Sequence, residues 1–252
     1  MTEILPPNQQ QMKQHVQSIR TWFASGKGQR LLSLEKPLIE QALTYYFGRF
    51  LLQAGPLYNL VQPIKDVDEI ISVGCEGFNA DIVCEEHAWP ILTEGVEAVV
   101  LQHTLDFAYS PHNTLREAAR CIRPGGHILI VGFNPYSYWG IYRRCHFGVL
   151  SKSHSITYSR LMDWLRLLGF AVERTWKGAY GLPNSVVVDK VIGLEAIGQH
   201  RKWWGNGFYI VSARKMMIQP TPLKSKKKSI LGTLAPIPVV NRNDVRVDER
   251  HS

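Results

Sequence analysis

Arg116–Pro135 reads REAARCIRPGGHILIVGFNP, and its three parts have three local fates. Arg116–Arg123 continues a helical pattern, Pro124-Gly125-Gly126 halts it, and His127–Val131 is apolar at every position after the histidine. Pro124 has no N–H to donate and the glycine pair admits backbone angles closed to other residues, so the spacing predicts a helix stopped and turned into a strand. An unbroken apolar strand is covered on both faces, which is the habit of parallel sheets.

Working outward, Val96–Gln102 (VEAVVLQ) is a second buried strand, followed by HTLDFAYSP. Ser110-Pro111 then supplies an N-cap and a proline at the first helical position, with Leu115, Ala118 and Ile122 on one helix face. Strand, helix, strand over this span is a βαβ unit, crossing over right-handed. Further upstream, Met12, Val16, Ile19 and Phe23 recur at helical spacing in Gln10–Phe23, and Leu34, Leu38, Ala42 and Tyr45 do so in Leu31–Tyr46. Phe50–Ala54, stopped by Gly55-Pro56, and Glu69–Val73, stopped by Gly74, read as short strands, with Ala80–Cys84 a weaker third.

Downstream, Ile156–Leu168 is a helix and Phe170–Trp176 a strand. A helix is expected between Ser185 and His200, and Gly207–Lys215 alternates like a strand at the end of a sheet. The order predicts an α/β fold, a doubly wound, mostly parallel sheet with N-terminal helices and a truncated edge. The expected divisions are an N-terminal helical extension over 1–47, the sheet domain over 48–216 and a basic, disordered tail over 217–252.

Composition bounds the function. The chain has 252 residues, 45% of them hydrophobic, enough for one α/β domain with extensions. Its four cysteines form no C-x-x-C pair and no Cys/His cluster with metal-ligand spacing, so no metal is expected and a reduced cytoplasmic chain is. No apolar run approaches the length of a membrane span, and the polar start does not read as a signal peptide. Half of the net charge of +8 lies in residues 217–252, where seven Lys/Arg face three Asp/Glu. The Lys224–Lys228 cluster could hold nucleic acid through phosphate contacts, but a solvated tail is the favoured reading.

The run VVLQHTLDFAYSPHNTLREAARCIRPGGHILIVGF, Val99–Phe133, resembles the C-terminal half of class I S-adenosylmethionine-dependent methyltransferases of the type 11 group. Leu115, Glu117, Arg120 and Pro124-Gly125-Gly126 carry the likeness, and GFNPYSYWG and TYSRLMDWLRLLGF are similar to a bacterial subgroup. The resemblance implies S-adenosylmethionine as cofactor, methyl transfer as activity and a small molecule as acceptor. It places cofactor contacts at Gln53, Ala54 and Gly55 after the first strand, at Glu76 after the second, at Glu85 and Glu86, and at Gln102 and His103. A carboxylate at Glu85 would accept the adenine amino group, though Glu85 and Glu86 read equally as a hydrated acidic turn. His103 is the candidate base, with Asp106 to orient it; each could instead cap local backbone. Asn134, Tyr136 and Trp139 are the candidate acceptor contacts, or the hydrophobic lid of the sheet.

Two features depart from the family. The first loop holds one glycine followed by Pro56, which lacks an N–H. Only about four residues separate the second and third strands, too few for a crossover helix, so these segments are expected to form a hairpin-like edge or to include a non-strand. A methyltransferase-fold binding or regulatory module is therefore the alternative to an enzyme, with an RNA methyltransferase guided by the tail as a second.

Overall fold

The computed structural model describes residues 9–56, 66–76, 79–145, 149–180 and 205–217. They fall within one compact unit, Met1–Ile218. The tail, its Lys224–Lys228 cluster and the helix expected between Ser185 and His200 lie outside the described residues.

Two helices come first, α1 (Gln9–Ala24) and α2 (Gly26–Leu43). Ser25 separates them and its hydroxyl accepts from the Gly28 N–H, capping α2. Seven strands then form one sheet: β1 (Gly48–Ala54), β2 (Val67–Gly74), β3 (Ile82–Val83), β4 (Val96–Gln102), β5 (Ile122–Phe133), β6 (Phe170–Gly178) and β7 (Phe208–Lys215). Their order is β3-β2-β1-β4-β5-β7-β6. All neighbours are parallel except β7, which runs antiparallel to both β5 and β6. Short α3 (Thr104–Phe107) and longer α4 (Pro111–Cys121) link β4 to β5, and α5 (Tyr138–Cys145) and α6 (Tyr158–Leu167) link β5 to β6.

Strand alternation divides the core into two layers. Leu52, Val99, Leu101, Ile128, Ile130 and Val211 meet Leu115 and Ala118 of α4 and Leu161 and Leu165 of α6. Leu51, Ala98, Val100, Leu129, Val131 and Ile210 meet Ile19 and Phe23 of α1 and Leu31, Ile39 and Ala42 of α2. The N-terminal helices thus pack on one face of the sheet, beside Trp139 and Leu150. Because β5 is sealed on both sides, its sequence is apolar without alternation.

Four local expectations are corrected. β5 begins at Ile122, directly after α4, and Pro124-Gly125-Gly126 forms an irregularity inside the strand, where pairing jumps from Val96↔Ile122 to Ala98↔His127. Both glycines are needed there: Gly125 has φ +82, and a Cβ on Gly126 would sit 2.5 Å from the Glu97 carbonyl oxygen. β2 and β3 are parallel partners (Val73↔Ile82, Gly74↔Val83), not a hairpin, because a two-residue strand needs only a loop to bring it alongside the end of β2. β7 is inserted between β5 and β6 instead of ending the sheet, since its Phe208–Ala213 run is buried and needs pairing on both edges. Ser110 stands at the start of α4, yet its side chain makes no capping bond.

Candidate cofactor cleft

Strand order reverses between β1 and β4, so the connections leaving their carboxyl ends diverge and open a crevice. A cleft lies there. Its floor is Ala54 and Gly55 after β1, with Val73, Gly74 and Cys75 at the end of β2. Cys84, Glu85, Glu86 and Trp89 form one wall, and His103, Thr104 and Phe107 another. Met12, Val16 and Ile19 of α1 reach in from the helical layer. Among the described residues that line it there is no lysine or arginine, so the cleft favours neutral or cationic groups over phosphate.

The first loop is fastened to β4. The Thr104 hydroxyl donates to the Ala54 carbonyl at 2.6 Å, and a Cβ on Gly55 would come within 2.9 Å of the Gln102 carbonyl oxygen. Glycine at position 55 therefore serves the approach of the loop to its own sheet, before any ligand is considered.

The wall after β3 lacks a helix and is held by side chains instead. Glu117 of α4 accepts from the Trp89 N–H at 2.9 Å. Arg120 donates to the carbonyls of Trp89 (3.1 Å) and Ile91 (2.9 Å), and to the Thr93 hydroxyl at 2.9 Å. The two side chains pair with each other at 2.8 Å, and Arg120 holds the Glu117 carboxyl below its ordinary range. The Leu-x-Glu-x-x-Arg pattern thus has a structural meaning: Leu115 is core, and Glu117 with Arg120 clamps the loop that carries Trp89. Glu86, half-buried on the same wall, accepts from the Tyr109 N–H at 2.6 Å. Burial pushes its carboxyl up, against the opposing pull of that N–H and of His87. Glu85 is exposed, 3.4 Å from the His87 ring.

His103 is fully buried and stands in the left-handed region (φ 50°), sparsely used by residues other than glycine. Its N–H bonds the Val131 carbonyl at 2.9 Å. Its ring lies between carboxylates, with Nδ1 2.8 Å from Asp106 Oδ2 and Nε2 2.8 Å from Glu35 Oε1. Burial by itself would lower the imidazole pKa, but Glu35 and Asp106 outweigh it and raise it to about 9. At neutral pH the ring is therefore a doubly bonded imidazolium, which has no lone pair to offer a substrate. Both ring nitrogens of the candidate base are thus engaged by carboxylates. Asp106 does bond the ring, and the same Oδ2 accepts from the Phe133 N–H at 3.1 Å.

Other expected contacts are dispersed. Gln53 and Gln102 are buried within β1 and β4 and are not among the residues bordering the cleft. Glu76 does not border it and pairs with Lys13 of α1 at 2.7 Å. Trp139 is core on the α1–α2 face, Asn134 bonds Asn206 at 3.2 Å, and Tyr136 is exposed at the surface; none of the three borders the cleft. Cys75 and Cys84 do border it, but burial pushes their thiols up to about 12 and about 11, so both remain protonated. No group of three or more metal-ligating side chains occurs among the described residues, and no described helix is long and apolar enough to cross a membrane.

Glu35 escaped the sequence reading. It stands four residues from Leu31 and four from Ile39, in the middle of the buried stripe of α2, with no exposure. A carboxylate at a core-facing helical position is the signal that would have found it.

Strand order, cleft position and the antiparallel seventh strand define the class I methyltransferase fold. Residues 72–130 match the family model described as a methyltransferase domain. A chain from the Haloferax volcanii complex between the Trm112 methyltransferase activator and an inferred methyltransferase superposes with a TM-score of 0.58 at 14% identity, covering 79% of this chain and 98% of that one. An S-adenosylmethionine-dependent methyltransferase of Thermotoga maritima gives a TM-score of 0.56 at 14% identity, covering 81% and 97%. In sequence, the chain is 34% identical to the uncharacterized protein YafS of Escherichia coli (strain K12) over 138 residues, 51% of this chain and 55% of that protein. The chain thus spans about half the length of this curated relative.

Proposed function

We propose that the protein transfers the methyl group of S-adenosylmethionine to a small-molecule acceptor. The observation that carries this reading is the cleft at the β1–β4 reversal, walled by Glu85 and Glu86 and bordered by no described lysine or arginine. Such a lining suits a ligand bearing amino and sulfonium charges. When bound, S-adenosylmethionine supplies an electrophilic methyl carbon on positively charged sulfur. The residues fit it in part. Glu86, and Glu85 at the rim, can accept from amino and hydroxyl donors, and Trp89 and Phe107 offer flat apolar walls. The Ala54-Gly55-Pro56 turn supplies few N–H groups, and Cys75 stands where a ribose-binding acid was expected from Glu76.

Methyl transfer asks little proton chemistry of the protein. Alignment of nucleophile, methyl and leaving sulfur, with water excluded, supplies the rate, and an acceptor already deprotonated needs no base. Met12, Val16, Ile19 and Phe107 serve that exclusion. His103 and Asp106 act here by shaping the wall behind the cleft.

A binding or regulatory module is the second reading, favoured by the single glycine of the first loop and by the engagement of Glu76 with Lys13. Calorimetric titration of S-adenosylmethionine and S-adenosylhomocysteine into the full chain separates the two. Saturable heat, weakened in Glu86→Gln, is the expected result. Absence of heat with either ligand would leave the module reading standing. The RNA reading draws no support from the described residues, and the Lys224–Lys228 cluster that suggested it lies outside them.

A further inference from the structure

The most unusual polar feature of the core is the Glu35–His103–Asp106 array. Three ionisable side chains, exposed by at most 1%, meet among Phe23 of α1 and Phe133 of β5, whose rings lie 5.5 and 4.2 Å from the imidazole. Glu35 uses both oxygens: Oε1 faces His103 Nε2 at 2.8 Å, and Oε2 accepts from Gln102 Nε2 at 2.9 Å. Each partner belongs to the carboxyl end of β4, whereas Glu35 belongs to α2. Desolvating this much charge is costly, and an array of this kind is weak evidence for stability as such; its use is to fix one arrangement over others. What it fixes here is the seating of the N-terminal helices beside the cleft, since α1 carries Val16 and Ile19 into the cleft and Phe23 against His103.

We propose that Glu35 is a positioning residue for the cleft: from α2 it grips the His103–Gln102 turn at the end of β4 and so holds α1 in place as a wall against which the ligand packs. The inference rests on the reading of the cleft as a cofactor site. The groups facing His103 are Glu35 from α2, Asp106 from α3, Phe23 from α1 and Phe133 from β5. The grip therefore requires the imidazolium, and it loosens when the ring loses its proton. Glu35→Gln is an informative variant because Gln102 Oε1 has no partner among the described residues. A rotated Gln102 amide can accept from the new glutamine, so the hydrogen bonds survive while one of the two charges that keep His103 protonated is lost. Glu35→Leu removes the grip altogether.

The test is calorimetric titration of S-adenosylhomocysteine into the full chain, wild type and both variants, as a function of pH, with amide hydrogen exchange of α1 measured in parallel without ligand. In the wild type, affinity and α1 protection should hold through neutral pH and fail together at alkaline pH. In Glu35→Gln both should fail at a lower pH, and in a folded Glu35→Leu affinity should drop by on the order of tenfold at neutral pH. A merely structural residue would leave the pH limb where it is in Glu35→Gln, and that outcome overturns the proposal whether or not Glu35→Leu folds. If the wild type binds no S-adenosylhomocysteine, the cofactor reading falls and exchange alone decides: α1 protection lost at a lower pH in Glu35→Gln supports the positioning role, and unshifted protection rejects it.

Discussion

The two halves of the sheet are built by different means. On the β4-β5-β7-β6 side, strands of seven to twelve residues are paired over most of their length, and α4 and α6 cover one face mainly by apolar contact. On the β1-β2-β3 side the outer strand has two residues, and the segment from Cys84 to Gly95 holds no helix. Polar clamps do the work there. Glu117 and Arg120 reach back from α4 to hold the Trp89 loop, and at the border between the halves Glu35 grips the end of β4. Hydrophobic burial is non-directional and tolerates adjustment, whereas charge-assisted hydrogen bonds fix geometry. The cleft lies where the second kind of construction dominates.

This contrast can be broken most decisively by pH. The His103 pKa is raised from 6.5 to about 9, so the array's contribution is fully present below about pH 6.5 and is lost as pH rises through about 9. Urea midpoints measured on either side of that window should fall with rising pH, and α1–α2 should lose exchange protection before β5 and β7 do. A flat profile would mean that the helical face is held by apolar packing like the other.

Arg120→Ala comes next. It strips the Trp89 and Ile91 carbonyls of a charged donor and leaves Glu117 unpaired, at a cost of about 2 kcal/mol in urea unfolding. Because the loss falls on the cleft wall, S-adenosylhomocysteine affinity should drop more than stability does, and Arg120→Lys should restore neither fully, since one ammonium cannot span the same acceptors. Equal affinity in wild type and Arg120→Ala would show that the loop needs no clamp. The smallest effect is expected from Lys13→Ala, which breaks a pair whose side chains are 54% and 59% exposed. Its stability should change by less than about 0.5 kcal/mol. Ligand affinity should stay unchanged, because Glu76 stands outside the cleft; a loss of affinity would return Glu76 to the site.

Sequence by itself determined the sheet and its half-built edge. Periodicity placed β1, β2, β4, β6 and β7 to within a few residues and found the sealed centre of β5, because a strand covered on both faces must be apolar throughout. The Pro-Gly-Gly run marked an irregularity inside β5 instead of its start, because Gly125 has a positive φ and Gly126 a close approach to β4. It also located Ala54, Gly55, Glu85, Glu86 and His103 at the cleft, since loops after parallel strands lie at one end of the sheet. Only the tertiary structure decided that β3 lies parallel to β2, that β7 is inserted, and that Glu76 turns to Lys13 while Trp139 becomes core. Those outcomes depend on which distant segment competes for each edge or face, and no local period records that. The same holds for Glu35. A period could mark it as a carboxylate in an apolar stripe, but its partners lie 67 and 68 residues away, and only folding brings them within hydrogen-bonding distance.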